Sequence, residues 1–366
     1  MAVRRLIISD LHFGSEDALL ASPAALERIE PELAWADELV VNGDLLELVL
    51  ASLDEAVAAA RPFLALANRH VGRVHYLPGN HDHHLVSLAG DERRFADVLG
   101  APAPKLFEVA PAERLLRALC PDAEIVCAYP LCELDGMRIT HGHYVAPHIG
   151  SSDWRLMDRL AWRLTGEPSR PDSLTVADYE GLIAPLYELM YEIANLPSGR
   201  RAQQQFERWL SAIAAIARAP QRASRRISGL AHALGARRDG SELAPTDAPA
   251  ADLLRAMQAV CHNLEITPGT VVFGHTHQPL DGVATPDGVY RLYNSGSWVW
   301  DRRLRESAVY RASAWPGTVL RATGGDVELR GLLADCDDND LRELLGTGAQ
   351  PIPRRRLRPQ LVAVRR

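Results

Sequence analysis

The sequence predicts an α/β fold in which a β-sheet core is interrupted by a helical insertion. Short apolar runs typical of buried strands alternate with helical stretches over residues 3–148, and such strands return after residue 262. Five of these runs are followed directly by residues with metal-binding side chains. Between the two parts lies a long stretch with helical spacing of its apolar residues and no strand pattern. Alternating strands and helices are typical of sheet and helix layers packed around one core.

Size and composition limit the class of protein. The chain has 366 residues, enough for one large α/β domain with an insertion or for two domains. Its hydrophobic share of 47% and charged share of 24% are ordinary for a globular protein. The net charge of -7 disfavours a surface that coats nucleic acid.

Targeting signals are not expected in this sequence. The apolar run before Asp10 is too short for the core of a signal peptide, and no run approaches the ~20 residues of a transmembrane helix. The five cysteines show neither a metal-finger spacing nor a disulfide-rich pattern. We therefore expect a cytoplasmic protein with buried, reduced cysteines.

The elements of the core can be assigned in order along the chain. Strands are predicted at 3–8, 39–41, 74–77, 124–127 and 137–140, and again at 271–273, 290–294, 306–312, 319–323 and 327–333. One helix is predicted to open at Ser22-Pro23, with serine as N-cap and proline in the first turn, and another spans 56–68. The metal-binding residues then lie in loops after the carboxyl ends of strands.

The stretch 149–260 is predicted to be a helical insertion, or cap, between core parts at 1–148 and 261–334. Apolar residues recur at helical spacing in two segments, Leu182, Ile183, Leu186, Met190 and Ile193 and then Phe206, Leu210, Ile213 and Ile216. Arginines of the insertion form either a basic wall for an anionic substrate or a solvated face. The tail, 335–366, is acidic and then basic; a solvated end and a peripheral contact with an anionic membrane surface both fit this pattern.

Five short segments supply side chains that bind divalent metals. They are Asp10-Leu11-His12, Gly43-Asp44, Gly79-Asn80-His81-Asp82, His141-Gly142-His143 and Gly274-His275-Thr276-His277. Carboxylate, imidazole and amide oxygen together suit Mn, Fe or Zn. Asp44 is the natural bridge between two ions, because a carboxylate has two oxygens. Two ions ~3.5–4 Å apart can hold a bridging hydroxide and clamp a phosphate during in-line displacement.

His81 is predicted to have a different role from its neighbour Asn80. Because it follows Asn80 directly, its side chain should point elsewhere, where it could protonate the leaving oxygen or bind the phosphoryl group. Asp82 would orient this imidazole through a hydrogen bond. His143 is expected beside the ligands or the substrate. For His83 and His84, a role beside the site and a place in a solvent-exposed loop explain the sequence equally well.

The order of the five segments resembles that of the calcineurin-like metallophosphoesterase superfamily, over about residues 3–148 and 262–300. The resemblance implies a four-layer sandwich of two mixed β-sheets flanked by helices. It also implies one metal held by Asp10, His12, Asp44 and His277. The second metal would be held by Asp44, Asn80, His141 and His275, with His81 as the catalytic acid.

One segment departs from the family pattern. The usual Gly-Asp-x-x-Asp is replaced by Gly43-Asp44-Leu45-Leu46-Glu47, which is similar to the UDP-2,3-diacylglucosamine pyrophosphatase branch. That branch also carries a helical insertion, but it usually has Arg where His81 stands. Its lipid substrate is therefore not carried over to this chain.

These observations predict a dinuclear metal-dependent phosphoesterase that hydrolyses a phosphate ester by attack of metal-bound hydroxide. The size of the insertion favours a phosphodiester or pyrophosphate, either a small molecule or a nucleotide-containing compound. A phosphomonoesterase or protein phosphatase and a metal-stabilised interaction module without catalysis are alternatives. A nuclease is a further alternative, disfavoured by the acidic balance and by the lack of interleaved aromatic and basic residues.

Overall fold

A computed structural model of the chain describes residues 2–86, 110–149, 174–195, 250–301 and 314–348. Within these residues the strands form a six-stranded and a five-stranded β-sheet. Each sheet contains parallel and antiparallel neighbours, and helices pack against both. The predicted α/β sandwich of two mixed sheets flanked by helices is therefore confirmed.

Both sheets combine strands from distant parts of the chain. The strands of the first are β1 (Arg4–Ile8), β2 (Glu38–Asn42), β3 (Arg73–Leu77), β4 (Glu124–Cys127), β10 (Thr318–Thr323) and β11 (Asp326–Gly331). Those of the second are β5 (Leu131–Leu134), β6 (Met137–Thr140), β7 (Gly269–Phe273), β8 (Leu280–Ala284) and β9 (Tyr290–Asn294). The orders are β11-β10-β1-β2-β3-β4 and β5-β6-β7-β9-β8.

Helices flank the sheets on their outer faces. They are α1 (Pro23–Trp35), α2 (Leu53–His70), α3 (Ala110–Leu119), α4 (Ala146–Ile149), α5 (Val176–Asn195), α6 (Ala250–Asn263) and α7 (Asp338–Gly348). The predicted start of α1 at Ser22-Pro23 is confirmed. Helix α2 begins with a capping box in which Ser52 and Glu55 satisfy each other's backbone N–H groups.

Alternation of side chains along the strands produces the four layers. On β1, Leu6 and Ile8 pack into the apolar cluster that contains α1 and α2, whereas Ile7 faces the other sheet. There it belongs to the same buried cluster as Ile139 of β6 and Val272 of β7. The outer face of the second sheet packs against α6. The layers are thus helix, sheet, sheet and helix.

Two helices of the predicted insertion are described. Helix α5 confirms the first predicted helical segment, and its Ile183 is buried in a cluster with α6. Helix α6 packs on the five-stranded sheet, and residue 260, where the predicted insertion ends, lies within this helix. The segment predicted as helical at 206–216, the arginines around it, the strand predicted at 306–312 and the basic end of the tail lie outside the described residues.

The first part of the predicted tail forms α7. Its Leu341 is fully buried in the cluster that contains α1, so this part of the tail belongs to the outer helix layer. Across the described ranges, none of the helices combines the length and apolarity needed to span a membrane.

Candidate metal centre

The predicted metal-binding residues follow the carboxyl ends of parallel strands. Strands β1, β2 and β3 are parallel neighbours, and so are β6 and β7. Asp10, Asp44 and Asn80 lie in loops after the first three strands, whereas His141 and His275 follow the other two. Because ligand sites of open α/β sheets form outside these carboxyl ends, both sheets contribute to one site.

Five of the predicted ligands have a left-handed backbone conformation that residues with side chains rarely adopt. The φ angle is 55° at Asp10, 47° at His12, 51° at Asp44, 65° at His275 and 58° at His277. Conformations of this kind cost about 1–3 kcal/mol each and persist where the surrounding structure enforces them. The fold therefore bends the backbone at these positions to aim their side chains at a common point.

Glycine precedes two of the predicted ligands, Asp44 and Asn80, because a side chain would not fit there. A Cβ atom at Gly43 would lie 2.0 Å from Nδ1 of His141. A Cβ atom at Gly79 would lie 2.3 Å from Oδ1 of Asp44. Both distances are far below van der Waals contact, so the two glycines allow the loops after β2 and β3 to approach the ligands closely.

Asp10, His12 and His277 form one group of potential ligands, which we call the first half-site. Nε2 of His277 lies 3.3 Å from Oδ1 of Asp10, and Nε2 of His12 lies 3.9 Å from the same oxygen. Oδ1 of Asp10 and Nε2 of His12 are buried, and within the described residues neither has a hydrogen-bond partner. Buried polar atoms are almost always satisfied, so these two fit a cation between them.

Asn80, His141 and His275 form the second half-site. Oδ1 of Asn80 lies 3.1 Å from Nε2 of His141 and 2.8 Å from Nδ1 of His275. Asp44 joins the two half-sites, because its Oδ2 lies 3.2 Å from Nε2 of His141 and 3.6 Å from Nε2 of His12. One carboxylate oxygen thus faces ligand nitrogens of both groups, as a bridging ligand requires.

The charged groups of the second half-site shift one another's pKa values. Burial would raise the pKa of Asp44, but the charges of His141 and His81 hold that pKa well below its usual value. Burial would lower the pKa of His141, but the Asp44 carboxylate raises it to about 9. Burial and the neighbouring His141 lower the pKa of His275 to about 3. Since metal ligands must be deprotonated, a metal entering this half-site would displace the proton of His141.

Two of the histidines are oriented through Nδ1. Nδ1 of His12 lies 2.9 Å from Oε2 of Glu47, and Nδ1 of His141 lies 2.9 Å from the backbone oxygen of Asn42. Both partners accept hydrogen bonds, so each Nδ1 carries a proton and Nε2 is the nitrogen left to bind a metal. Hydrogen bonds of this kind fix the tautomer of metal-binding histidines in general.

Glu47 also holds His81, the predicted catalytic acid. Nδ1 of His81 lies 2.8 Å from Oε1 of Glu47, and 27% of the imidazole side chain is exposed. Burial would lower the pKa of His81, but the Glu47 and Asp44 carboxylates raise it to about 10. The two carboxylates thus favour the protonated form of His81, and its imidazole is in contact with solvent, as a proton donor to a substrate must be.

The predicted role of Asp82 is wrong. Its buried carboxylate accepts hydrogen bonds from the Tyr76 hydroxyl at 2.5 Å and from the backbone N–H groups of Gly79 at 2.5 Å and Leu45 at 2.8 Å. These bonds fasten the loop after β2 to the loop after β3. Because Asp82 is committed to them, the carboxylate that orients His81 is that of Glu47.

Other histidines surround the half-sites. The ring centroid of His143 lies 5.5 Å from that of His141, and its Nε2 lies 3.1 Å from the Tyr129 hydroxyl. Of the two alternatives for His83, the exposed loop is wrong, because the side chain is buried and its Nε2 donates a hydrogen bond to Glu180 of α5. Sequence patterns gave no signal for Glu180, which belongs to the predicted insertion and is separated from His83 by 97 residues.

Comparison with known proteins identifies the family of this site. The family described as calcineurin-like phosphoesterase matches residues 3–189 of the 366. This chain belongs to the calcineurin-like phosphoesterase family. Among solved structures, a phosphopantetheinyl hydrolase from Mycobacterium tuberculosis is similar at 17% identity, with 83% of this chain and 92% of that chain covered and a TM-score of 0.30. No curated protein matches the chain.

As a calcineurin-like phosphoesterase, the chain belongs to a family that hydrolyses phosphate esters with divalent metals. The predicted membership of this superfamily is confirmed. The described side chains fit such ions, because they combine carboxylate, imidazole and amide donors with two buried atoms that lack a protein partner. The two half-sites thus have a composition that suits divalent metal ions.

Proposed function

We propose that the protein is a dinuclear metal-dependent phosphoesterase with a preference for phosphodiester or pyrophosphate substrates. The observation that carries this proposal is the shared position of Asp44. Its Oδ2 faces His12 of the first half-site and His141 of the second, so both groups can act on one phosphate. Such pairs of ions suit in-line displacement at phosphorus.

Each half-site would hold one divalent ion, with Mn, Fe and Zn as the candidates. The first ion would be held by Asp10, His12, Asp44 and His277, and the second by Asp44, Asn80, His141 and His275. When bound, such ions lower the pKa of a coordinated water toward neutrality and neutralise charge on the phosphoryl oxygens. The protein's own contribution is to orient these side chains, which it does through Glu47 and the backbone oxygen of Asn42.

His81 would protonate the leaving oxygen. Glu47 accepts from Nδ1 of His81 at 2.8 Å, so Nε2 is the nitrogen available to the substrate. The backbone N–H of His81 donates to Oδ1 of Asp44 at 2.8 Å, which fixes the imidazole relative to the bridging carboxylate. A proton donor positioned in this way contributes roughly 10²–10⁴-fold to rate.

The preference for a diester or pyrophosphate rests on the insertion. Glu180 of α5 accepts a hydrogen bond from His83, which lies two residues beyond His81, so the insertion borders the site. We infer that residues 149–260 act as a cap that could enclose the second substituent of such a substrate.

The described cysteines are free, which suits a cytoplasmic location.

Turnover of two chromogenic esters tests the proposal. The purified protein would be loaded separately with Mn²⁺, Fe²⁺ or Zn²⁺, and metal content would be measured alongside hydrolysis of bis-p-nitrophenyl phosphate and p-nitrophenyl phosphate. We expect two ions per chain and faster hydrolysis of the diester. Preference for the monoester would contradict the diester assignment. Bound metals without turnover of either ester would instead support a non-catalytic interaction module.

A nuclease can be tested in the same preparation. Single-stranded DNA incubated with the metal-loaded protein should remain intact, because the acidic net charge of -7 disfavours binding of a polyanion. Degradation of the DNA, if it is lost in Asp44→Asn, would show that the substrate class is nucleic acid.

A further inference from the structure

A carboxylate of the insertion lies at the centre of a buried polar cluster beside the second half-site. Glu180 of α5 is fully buried and faces three side chains of the core. The Tyr129 hydroxyl lies 2.5 Å from Oε1 of Glu180, the Tyr144 hydroxyl also contacts Oε1, and Nε2 of His83 lies 2.8 Å from Oε2. The partners come from the loops after β4, β6 and β3, so one side chain ties the insertion to three core loops.

The protons of this cluster can be assigned from the chemistry of its groups. A carboxylate only accepts hydrogen bonds, and a tyrosine hydroxyl has one hydrogen to donate. Two oxygens 2.5 Å apart require a proton between them, and with Glu180 ionised this proton is the hydrogen that Tyr129 donates. The Tyr129 oxygen, which lies 3.1 Å from Nε2 of His143, must then accept, and His143 carries its proton on Nε2.

This assignment determines the other nitrogen of His143. The ring is 3% exposed, and its nitrogens contact no carboxylate within the described residues, so no direct ion pair there compensates an imidazolium charge. In the neutral ring with hydrogen on Nε2, Nδ1 has a lone pair and can only accept. Nδ1 is buried and has no hydrogen-bond partner among the described residues. The ring centroid lies 5.5 Å from that of His141 and 6.4 Å from that of His275.

We propose that Glu180 is a positioning residue through which the insertion fixes, by way of Tyr129, the tautomer of His143 beside the second half-site. The inference rests on the proposed function, because it assigns His143 a task within that site. His143 then presents a hydrogen-bond acceptor next to His141 and His275. A buried acceptor without a hydrogen bond is costly, so Nδ1 of His143 accepts a hydrogen bond from the substrate or from an ordered water.

The tautomer also affects the electrostatics of the half-site. A lone pair is the negative end of the imidazole dipole and is compatible with a nearby divalent cation, whereas an N–H group there would oppose it. Outer partners of metal ligands typically contribute about 10–100-fold to metal affinity or activity. We expect Tyr129 to contribute within this range, through His143.

Two tyrosines provide a matched pair of variants. Tyr129→Phe and Tyr144→Phe each remove one buried hydroxyl that donates to the same oxygen of Glu180. Among the described residues only the Tyr129 hydroxyl hydrogen-bonds to His143, whereas Tyr144 contacts His143 through its ring, which phenylalanine keeps. A purely structural role of the cluster would give both variants the same properties. A role in fixing the His143 tautomer would separate them.

The direct test is ¹⁵N NMR of the imidazole nitrogens in histidine-labelled protein, with His143 assigned by comparison with His143→Gln. Wild-type protein and Tyr144→Phe should show His143 with hydrogen on Nε2 and a bare Nδ1. Tyr129→Phe should show a mixture of tautomers. If wild-type His143 carries its hydrogen on Nδ1, the proposal is overturned, and this outcome does not depend on any enzymatic activity.

The second test measures the consequence for the site. At matched melting temperatures, Tyr129→Phe should raise the Kd for Mn²⁺ or lower kcat/KM for bis-p-nitrophenyl phosphate about 10-fold relative to Tyr144→Phe. Equal values in the two variants would contradict the positioning role, even if the tautomer changes. If wild-type protein hydrolyses neither chromogenic ester, the proposed function fails, while the NMR spectrum and the Mn²⁺ titration still decide whether Glu180 positions His143.

Discussion

The two ends of β1, β2 and β3 both bury charged side chains, but they satisfy them differently. At the amino ends, Oε2 of Glu38 accepts from Nε of Arg5 at 2.7 Å and lies 3.1 Å from Nε2 of His75, while Oε1 accepts from Arg73 at 2.7 Å. At the carboxyl ends, Oδ1 of Asp10 is buried without a hydrogen-bond partner among the described residues. The charged side chains at the amino ends are therefore paired with one another, whereas Asp10 at the carboxyl ends has an oxygen that can bind a metal ion.

This difference separates stability from function within the same strands. Burying a charge is costly unless it is paired, so the amino ends compensate with neighbouring side chains. Arg5 also contacts Asp135 in the turn between β5 and β6, and the network therefore ties the two sheets together. At the carboxyl ends histidines compensate Asp44, whereas Oδ1 of Asp10 has no hydrogen-bond partner among the described residues and would be satisfied by a metal ion of the proposed centre. Substitutions at the carboxyl ends should therefore reduce metal binding and activity, and those at the amino ends should reduce stability.

The largest effect on activity is expected for Asp44→Asn. An amide has one oxygen acceptor and no negative charge, so the bridge between His12 and His141 is lost. We expect kcat/KM for bis-p-nitrophenyl phosphate to fall by about 10³-fold or more and metal content to fall below two ions per chain. If the variant keeps full metal content and wild-type turnover, Asp44 is not a bridging ligand and the proposed centre is wrong at this position.

His81→Ala should reduce rate while both ions stay bound. The loss of a general acid predicts a decrease of roughly 10²–10⁴-fold in kcat. The decrease should be larger for a phenyl ester than for a p-nitrophenyl ester, because phenolate is the more basic leaving group and needs the proton more. Loss of metal from His81→Ala, measured by elemental analysis, would show that His81 is a ligand instead.

The position of the metal centre at the carboxyl ends of the strands could be predicted from sequence, because the ligand residues directly follow apolar runs. A buried strand fixes where its loop begins, so Asp10, Asp44, His141 and His275 were expected at one edge. The edge strands β5 and β8 were not predicted, since their residues are mostly half-buried or exposed and form no apolar run. Helix α3 was also missed; it is only 10 residues long.

The hydrogen-bond partners of the ligands were harder to predict. Glu47 was recognised as a departure from the family pattern, but its contact with both His12 and His81 depends on how separate loops pack. The prediction that Asp82 orients His81 rests on the general habit of carboxylates to orient imidazoles at metal sites. Adjacent residues in a loop point in different directions, and Asp82 turns inward to the backbone of the loop after β2.

Glu47→Gln should give an intermediate loss of activity. The carboxylate holds Nδ1 of His12 with one oxygen and Nδ1 of His81 with the other. Glutamine keeps one acceptor, so one of these imidazoles loses its orientation. We expect kcat/KM to fall about 10–100-fold, as for other groups that orient metal ligands. Glu47→Asp, which restores the family's usual residue, should retain more activity than Glu47→Gln.

Glu38→Gln is the matching substitution at the amino ends. It removes the negative charge that Arg5, Arg73 and His75 share, and leaves the buried Arg5 with weaker compensation. We expect the free energy of unfolding to fall by about 1–3 kcal/mol in urea denaturation. Metal content and kcat should be unchanged at a temperature where the variant is folded. A loss of activity without a loss of stability would contradict the division between the two ends.

The pH dependence of stability provides the finest test of this division. Burial would raise the pKa of Glu38, but the hydrogen bonds from Arg5 and His75 lower it below the ordinary value of 4.5. A carboxylate with a lowered pKa stabilises the fold fully above its unfolded pKa, and this contribution is lost as pH falls through the folded pKa. The difference in unfolding free energy between wild-type protein and Glu38→Gln should therefore be constant near neutrality and shrink below about pH 4.5. Metal-free protein is the appropriate sample, because ions bound at the opposite end would add their own pH dependence. A difference that stays constant down to pH 3 would mean that Glu38 does not act through its charge, and the internal pairing of the amino ends would have to come from other groups.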